Sequence, residues 1–184
     1  ASSPSPAAEA DPAYWRSVGA KALAAQATAY RGETAKNVIL FIGDGMGISS
    51  VSAARIYAGQ KAGGLGEDHQ LSFERFPAVA LSKTYNTNQQ TADSAGTMTA
   101  MITGVKTLAG VLSVDGSVRR GDCASGQGAE VPSLIEEAEA AGLATGIVST
   151  ARITHATPGA TYAHVVERDW EGGVPEAAAA QGWV

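Results

Sequence analysis

The sequence predicts an α/β fold: a mainly parallel sheet with helices on both faces. The continuous apolar run at 38–42 is typical of a strand that is buried on both sides, and the segment 143–150, "LATGIVST", is predicted as a second buried strand. A third segment, 78–86, alternates moderately and is predicted as another strand. Helix-like segments follow the runs, and glycines separate the elements, which is the order expected of a sheet built from strand–helix–strand units.

Composition sets the size and class of the molecule. The 184 residues are 45% hydrophobic and carry a formal charge of −5, which suits one globular domain. We expect a tail and helix over 1–35 and an α/β domain over 36–184. The only basic doublet is Arg119-Arg120, so a nucleic-acid partner is not expected. No apolar run approaches the roughly 20 residues that a membrane span needs.

The first residues favour export. Residues 1–12 are small, polar and proline-containing, and we predict that they are disordered. Such a start resembles the mature end of a periplasmic or extracellular protein, although an artificial boundary would look the same. The single cysteine, Cys123, has no partner for an intrachain disulfide and does not decide the compartment.

Helices are predicted from apolar spacing and from their start and stop residues. Residues 105–129 are rich in glycine and are predicted to be loop. The predicted helices cover 14–30; 48–59, with Ser49 or Ser50 as the N-cap and Gly59 at the end; 94–103, ending at Gly104; and 132–141, with Pro132 in the first turn and Gly142 at the end.

The turn "GDGMG" after the first strand carries Asp44. A dinucleotide fingerprint would need glycine at position 48, where Ile48 stands, and Asp44 would face the pyrophosphate, so we exclude a nucleotide site. Two interpretations of Asp44 remain. It is either a ligand for a cation or a solvated loop residue that caps the next helix.

The stretch "TADSAGTMTA" places Ser94 at the start of a helix, where it is either a nucleophile or an N-cap. The sequence D-S-A is not the G-x-S-x-G elbow, and no Ser-His-Asp arrangement is evident, so metal activation of the hydroxyl is the better route. Strand ends of a parallel sheet lie at one edge. We therefore expect Asp44, Ser94, His155 and Thr157 to converge on a cleft for an anion.

Three segments together resemble the alkaline phosphatase family. They are "KNVILFIGDGMG", "TADSAGTMTAMITGVKT" and "GLATGIVSTARITHATPGATYAHVVERDWE", and they span roughly residues 36–171. The resemblance implies an alkaline phosphatase-like α/β fold. It also implies hydrolysis of phosphate monoesters at alkaline pH through a phosphoserine at Ser94, with release of inorganic phosphate.

The resemblance assigns a role to each matching residue. Two zinc ions and a magnesium ion are implied. At position 155 the best-known bacterial members have aspartate, so the identity of the third metal stays open. The implied catalytic residues are Ser94 and Arg168; the substrate-binding residues are Asp93, Ser94 and Arg168; and the metal ligands are Asp44, Ser94, His155 and Thr157.

The other polar residues are interpreted as supporting or solvated. His164 is interpreted as a structural or supporting residue, and His69 as a solvated loop residue. Glu136, Glu137 and Glu139 are interpreted as an exposed helix face near the favourable end of the helix dipole.

Two zinc ions need more ligands than this sequence offers, because it contains three histidines. In the family the remaining zinc ligands come from a later stretch, so we expect a C-terminal remainder or a second chain as partner. The resemblance also implies a homodimer. The alternative function is a non-catalytic fragment that binds phosphate or metal.

Overall fold

The computed structural model describes residues 5–26, 35–172 and 176. Helices and loops dominate these residues. The helices are α1 (Pro6–Ala10), α2 (Pro12–Gln26), α3 (Ile48–Lys61), a 3₁₀ helix (Ser72–Arg75), α4 (Ser94–Thr103), α5 (Cys123–Gly126), α6 (Leu134–Ala140) and α7 (Ala156–Gly159). None of the helices among the described residues combines the length and the apolar character needed to cross a bilayer.

The chain divides into two compact units, and each is described by itself. One unit is Lys36–Lys83, and the other joins the described parts of Ala1–Ala35 and Thr84–Val184. The division into a tail and helix over 1–35 and an α/β domain over 36–184 stays a prediction.

Four helices lie where the sequence predicts them, with corrections at their ends. The predicted stretch 27–30 of the first lies outside the described residues. Helix α3 is capped by Gly47 rather than by a serine, and it runs past Gly59 to Lys61. Ser133 caps α6, because its hydroxyl accepts from the Glu136 amide and the Glu136 carboxylate accepts from the Ser133 amide at 2.7 Å.

Helix α1 lies in a segment that we predicted to be disordered, and that prediction is wrong for residues 6–10. Ser5 caps the helix by accepting from the Ala8 amide, and Pro6 occupies the first turn. The indole Nε1 of Trp15 donates to the Glu9 carbonyl oxygen at 2.8 Å. These contacts hold the segment against α2. Residues 1–4 lie outside the described residues.

The mainly parallel sheet is not confirmed. Among the described residues, β-pairing is limited to three isolated bridges, Asn86–Gln89, Leu112–Val165 and Val114–Glu130. The predicted strands at 38–42 and 143–150 are not in a ladder, and Val38 and Val148 are 81% and 100% exposed. A strand needs partner strands for its backbone hydrogen bonds, and the described residues bring none to these segments.

The segment that we predicted as loop supplies much of the core. A cluster of buried residues joins Val111, Val114, Val118, Ala129 and Val166, with Leu108 and Trp170 packed against it. A second cluster joins Trp15, Val105 and Val131. Glycines in this segment permit the turns that fold it back on itself. Apart from α5 and two isolated bridges the segment is loop, as predicted, and the sequence reasoning made no prediction about its burial.

Backbone pairing brings this segment beside residues 165–168. The Leu112 amide donates to the Val165 oxygen at 2.8 Å, and the Val165 amide donates back at 2.9 Å. Three residues beyond Val165, the Arg168 amide donates to the Gly110 oxygen at 2.8 Å. Arg168 is thereby fixed in register with Gly110. Helix α4 packs against both α6 and α7 in the same unit.

Candidate active site

The centre of the candidate site is the start of α4. Asp93 is the N-cap, with an extended backbone (φ −101°, ψ 167°), and its side chain accepts from the Gly96 amide at 3.0 Å. Ser94 is therefore the first residue of the helix rather than its cap, and it is half-buried. Gly104 ends the helix as predicted, in the left-handed conformation with φ 73°.

The Asp93 carboxylate accepts four hydrogen bonds. Oδ1 accepts from the Gly96 amide and from Nδ2 of Asn86 at 2.8 Å, and Oδ2 accepts from the Gly110 amide at 2.9 Å and from Nη1 of Arg168 at 3.1 Å. Burial works to raise the pKa of Asp93, but these hydrogen bonds outweigh it and lower the pKa below its usual value. Asp93 is therefore an anion at neutral and alkaline pH.

Arg168 is held at both ends. Its backbone amide is bonded to Gly110, and its guanidinium is paired with Asp93, which is 75 residues away in the sequence. The Arg168 side chain remains 22% exposed. A guanidinium carries five N–H donors, and the contact with Asp93 engages Nη1. Arg168, Asp93 and the N-terminus of α4 are therefore arranged to bind an anion, and we call these three features the clamp.

His155 and Thr157 lie at α7, which packs against α4. His155 is the N-cap of α7, and Thr157 lies within the helix between buried Ala156 and buried Pro158. Both side chains are half-buried. The structure thus places Ser94, His155 and Thr157 on two neighbouring helices of one unit.

An ion pair between Arg152 and Glu171 borders the segment that carries His155. Nε and Nη2 of Arg152 donate to Glu171 at 2.6 and 2.7 Å, and the Thr154 hydroxyl donates to the same carboxylate at 3.1 Å. The hydrogen bonds from Arg152 above all lower the pKa of Glu171 to about 2. Glu171 therefore keeps its negative charge at the edge of the segment that carries His155.

Asp44 lies in the other unit, on an exposed turn that leads into α3. Gly45 follows it in the left-handed conformation with φ 62°, which a glycine adopts without strain. Asp44 belongs to the unit 36–83 and Ser94 to the other unit, and each unit is described by itself. The convergence of Asp44 with Ser94 therefore stays a prediction.

A sequence model of the family described as alkaline phosphatase matches residues 35–183 of this chain. The chain belongs to the alkaline phosphatase family. The match confirms the resemblance stated from the three motifs.

Individual relatives agree with this assignment. The chain is 48% identical over 181 residues to the tissue-nonspecific isozyme of alkaline phosphatase from Homo sapiens, covering 96% of this chain and 34% of the relative. It is 48% identical over 167 residues to an alkaline phosphatase from Gadus morhua, covering 90% and 35%. The chain therefore spans about a third of the length of the curated relatives it matches.

A solved structure gives the same fold assignment. The crystal structure of a cold-active alkaline phosphatase from a psychrophilic Shewanella matches with a TM-score of 0.59 and 31% identity, over 70% of this chain and 30% of that one. The fold class is thus the α/β class of the family.

The side chains at the implied metal positions have donors of the right chemical kind. The donors of Asp44, Ser94, His155 and Thr157 are oxygens and one imidazole, which are chemically suited to zinc and magnesium. Within the described residues, however, no group of three or more His, Cys, Asp or Glu side chains lies close enough together to hold a metal ion.

Sequence reasoning missed three residues that lie around the Asp93–Arg168 pair. Asn86 and Gly110 each donate to Asp93, and Arg120 covers Gly110. Asn86 is only 3% exposed. The basic doublet that includes Arg120 and the two acidic residues beside Arg168 were visible in the sequence as a possible signal. Asn86 and Gly110 gave none.

His164 is a supporting residue with two acceptors. Its Nδ1 faces the Ser113 carbonyl oxygen at 2.6 Å, and its Nε2 faces Oε1 of Glu136 at 3.0 Å. Glu136 lies in the first turn of α6 with its side chain 43% exposed, as interpreted, but it also has specific contacts. Its carboxylate contacts His164 and also completes the capping box with Ser133.

Proposed function

We propose that this chain supplies the nucleophile and the phosphate clamp of a metal-dependent phosphomonoesterase. The carrying observation is the pairing of Arg168 with Asp93 at the N-cap of the helix that begins with Ser94. Membership of the alkaline phosphatase family supports this activity. Because the chain spans about a third of its relatives, the activity belongs to the proposal.

The residues of the chain divide the work as follows. Arg168 binds phosphate oxygens through a planar set of donors, and Asp93 fixes the direction of its guanidinium. The backbone amides at the start of α4 present partial positive charge to the same anion. A bound phosphate monoester is thereby held with its phosphorus near the Ser94 hydroxyl.

Ser94 is the proposed nucleophile. Its Oγ forms a bond to phosphorus while the bond to the leaving alcohol oxygen breaks, and the proton lost by the Ser94 hydroxyl is balanced by the proton that the alcohol gains. Water then attacks the phosphoserine, which releases inorganic phosphate and restores the Ser94 hydroxyl. Zinc and magnesium, when bound through Asp44, Ser94, His155, Thr157 and further ligands, would supply Lewis-acid activation and charge neutralisation.

The partners follow from the same proposal. Phosphate monoesters are the substrate class, and a C-terminal remainder or a second chain is the proposed source of the missing metal ligands. Homodimer formation and export to the periplasm or the extracellular space stay proposals that rest on the resemblance and on the N-terminal composition.

Hydrolysis of a chromogenic phosphate monoester at alkaline pH, with and without a chelator, tests the proposal. Ser94→Ala is the decisive variant, and Ser117→Ala, at an exposed turn, is the matched control. We expect chelator-sensitive turnover that Ser94→Ala abolishes and Ser117→Ala preserves. Phosphopeptide mass spectrometry after rapid acid quench should place the phosphate on Ser94. Turnover that persists in Ser94→Ala would contradict the nucleophile assignment.

A second candidate function is binding of phosphate or metal without turnover. The lack of a metal-holding group among the described residues favours it. Zinc analysis of the purified protein separates the two functions. A catalytic assembly should hold zinc close to stoichiometrically, whereas phosphate binding with neither zinc nor turnover would favour the second candidate.

A further inference from the structure

Arg120 forms a bidentate pair beside the clamp. Its Nε donates to Oε2 of Glu167 at 2.8 Å, and its Nη2 donates to Oε1 at 2.6 Å. The same Nη2 reaches Asp169 at 3.4 Å. Glu167 and Asp169 are the two neighbours of Arg168 in the sequence. One arginine therefore binds both carboxylates that flank the proposed phosphate-binding arginine.

The Arg120 guanidinium also covers Gly110. A Cβ added at Gly110 would collide with the Nε and Cζ atoms of Arg120, so the guanidinium would have to move to admit any other residue. Gly110 connects the clamp, because its amide donates to Asp93 and its carbonyl oxygen accepts from the Arg168 amide. Arg120 thus packs on the residue that joins Asp93 to Arg168.

The backbone next to Arg120 is bonded to residues 165–168, the segment that contains Glu167 and Arg168. The amide of Gly121 donates to the Val166 oxygen at 2.9 Å, one residue before Glu167. This bond fixes the register of Arg120 along residues 165–168. Arg120 and Glu167 therefore meet through their side chains, while a backbone bond joins their neighbours Gly121 and Val166.

The Arg120–Glu167 pair matters for function because Glu167 carries a negative charge beside Arg168. Burial works to raise the pKa of Glu167, but the hydrogen bond from Arg120 and the neighbouring charges outweigh it and lower the pKa. Glu167 is therefore an anion wherever the protein is active. An uncompensated carboxylate next to Arg168 would compete with phosphate for the guanidinium and would repel the phosphate itself.

We propose that Arg120 is a positioning residue for Arg168: it holds and neutralises Glu167 and Asp169, so that Arg168 stays directed at Asp93 and at the substrate phosphate. The inference rests on the proposed function and adds to it a residue that determines phosphate affinity. The Arg120 side chain is 44% exposed. Exposed ion pairs contribute little to stability, so its effect is on binding rather than on folding.

The test compares five variants with the unmodified protein: Arg120→Ala, Arg120→Lys, Glu167→Gln, the double variant Arg120→Ala/Glu167→Gln, and Arg119→Ala. Arg119 is the matched control, because it is the adjacent arginine, its side chain is 81% exposed, and it pairs with Asp122 in its own loop. The readouts are the Kd for inorganic phosphate, KM and kcat for a chromogenic phosphate monoester, and the thermal unfolding midpoint.

We expect Arg120→Ala to weaken inorganic phosphate binding and raise KM by roughly tenfold, with a smaller change in kcat, as for loss of a neighbouring charge pair. Glu167→Gln in the same background should recover most of the loss, because the competing carboxylate is gone. Arg120→Lys should recover part of it, since a lysine restores the charge but not the two-pronged geometry. Arg119→Ala should match the unmodified protein in every readout.

Three outcomes would overturn the inference. They are an unchanged phosphate Kd in Arg120→Ala, a double variant as weak as Arg120→Ala alone, and an equal loss in Arg119→Ala. The phosphate titration needs no turnover, so a protein that binds phosphate without hydrolysing monoesters would refute the proposed activity and still decide the role of Arg120. Failure of the unmodified protein to bind phosphate would overturn both.

Discussion

The Arg168 guanidinium donates through Nη1 to Oδ2 of Asp93 at 3.1 Å, across 75 residues of sequence. Asp93 is at the same time the N-cap of α4, through its bond to the Gly96 amide. One carboxylate therefore serves the local structure of the helix and the long-range placement of the arginine. The geometry of the clamp and the stability of the helix start are coupled through Asp93.

Asp93→Asn should impair both functions of this carboxylate. An asparagine has a single acceptor oxygen, so its NH₂ group must face one of the donors that Asp93 now accepts. We expect weaker phosphate binding by about tenfold, equivalent to about 1.4 kcal/mol, together with reduced stability. The measurements are the Kd for inorganic phosphate and urea unfolding.

Asp122→Asn is the matched control for this prediction. Asp122 is paired with Arg119 within one loop and lies outside the clamp. We expect its phosphate Kd to equal that of the unmodified protein. An equal loss of affinity in both variants would indicate a general effect of negative charge and would contradict a specific role for Asp93.

Helix α4 shows what the sequence could predict. Its start at a D-S pair, its apolar spacing and its stop at Gly104 are all local signals, and the structure confirms each of them. The Ser94 and Arg168 assignments came from the family motifs. Local capping signals therefore predicted the helix, and the family motifs predicted which individual residues belong to the site.

The contacts between segments were not predictable in the same way. Gly110 looked like one of many loop glycines, yet its amide and carbonyl oxygen bind Asp93 and the Arg168 amide. The valines of 105–129 lie in loop as predicted, but their burial was not predicted, because glycine content hides apolar spacing. The apolar run 38–42 was predicted to be buried, but burial needs partner segments that no local pattern specifies.

Gly110→Ala should destabilise the protein more than a comparable change elsewhere. Gly110 has φ 83°, and an added Cβ would collide with the Arg120 guanidinium. Gly104 has a similar φ of 73°, but a Cβ there would meet nothing within 4 Å. Left-handed strain alone amounts to about 1 kcal/mol, so Gly104→Ala isolates that contribution. Urea unfolding of both variants measures the difference.

The same two variants also test phosphate binding by the clamp. Because Gly110 bridges Asp93 and Arg168, Gly110→Ala should also weaken phosphate binding, whereas Gly104→Ala should leave the phosphate Kd unchanged. Equal stabilities for the two variants would show that Arg120 moves aside freely. In that case the collision at Gly110 would have no energetic consequence, contrary to the prediction.

Asn86→Asp should make the clamp sensitive to alkaline pH. The Asn86 Nδ2 donates to Oδ1 of Asp93 at 2.8 Å, and Asn86 is buried. An aspartate at position 86 would place two carboxylates at this distance, and only one of them can be ionised without strong repulsion. We expect stability and phosphate affinity to fall as the pH rises and the second carboxyl loses its proton.

Asn88→Asp provides the control for this change. The Asn88 side-chain oxygen accepts from the Ala109 amide at 2.9 Å, and an aspartate oxygen accepts equally well. Its stability should therefore vary with pH as in the unmodified protein. A flat pH dependence in Asn86→Asp would mean that the new carboxylate turns away from Asp93.

His164 should give the fold a stability component that is lost on the alkaline side. Its two ring nitrogens face two acceptors, the Ser113 carbonyl and the Glu136 carboxylate, and only the doubly protonated ring donates to both. Burial works to lower the pKa of His164, but these hydrogen bonds and the charges of Glu136 and Glu130 outweigh it and raise the pKa.

The sign of the pH dependence follows from this direction. The folded pKa lies above the unfolded value of about 6.5, so the stabilisation is complete below that value and is lost as the pH rises through the folded pKa. Glu136→Gln removes the carboxylate partner and should flatten the decline in unfolding free energy above about pH 6.5. Urea unfolding across this range measures the slope.

Glu137→Gln is the matched control, because Glu137 is the exposed neighbour of Glu136 in the same turn of α6. It removes the same charge from the helix without touching His164. We expect its pH slope to equal that of the unmodified protein. If Glu136→Gln and Glu137→Gln had equal slopes, the His164–Glu136 contact would not be the source of the decline, and the charge of α6 as a whole would account for it instead.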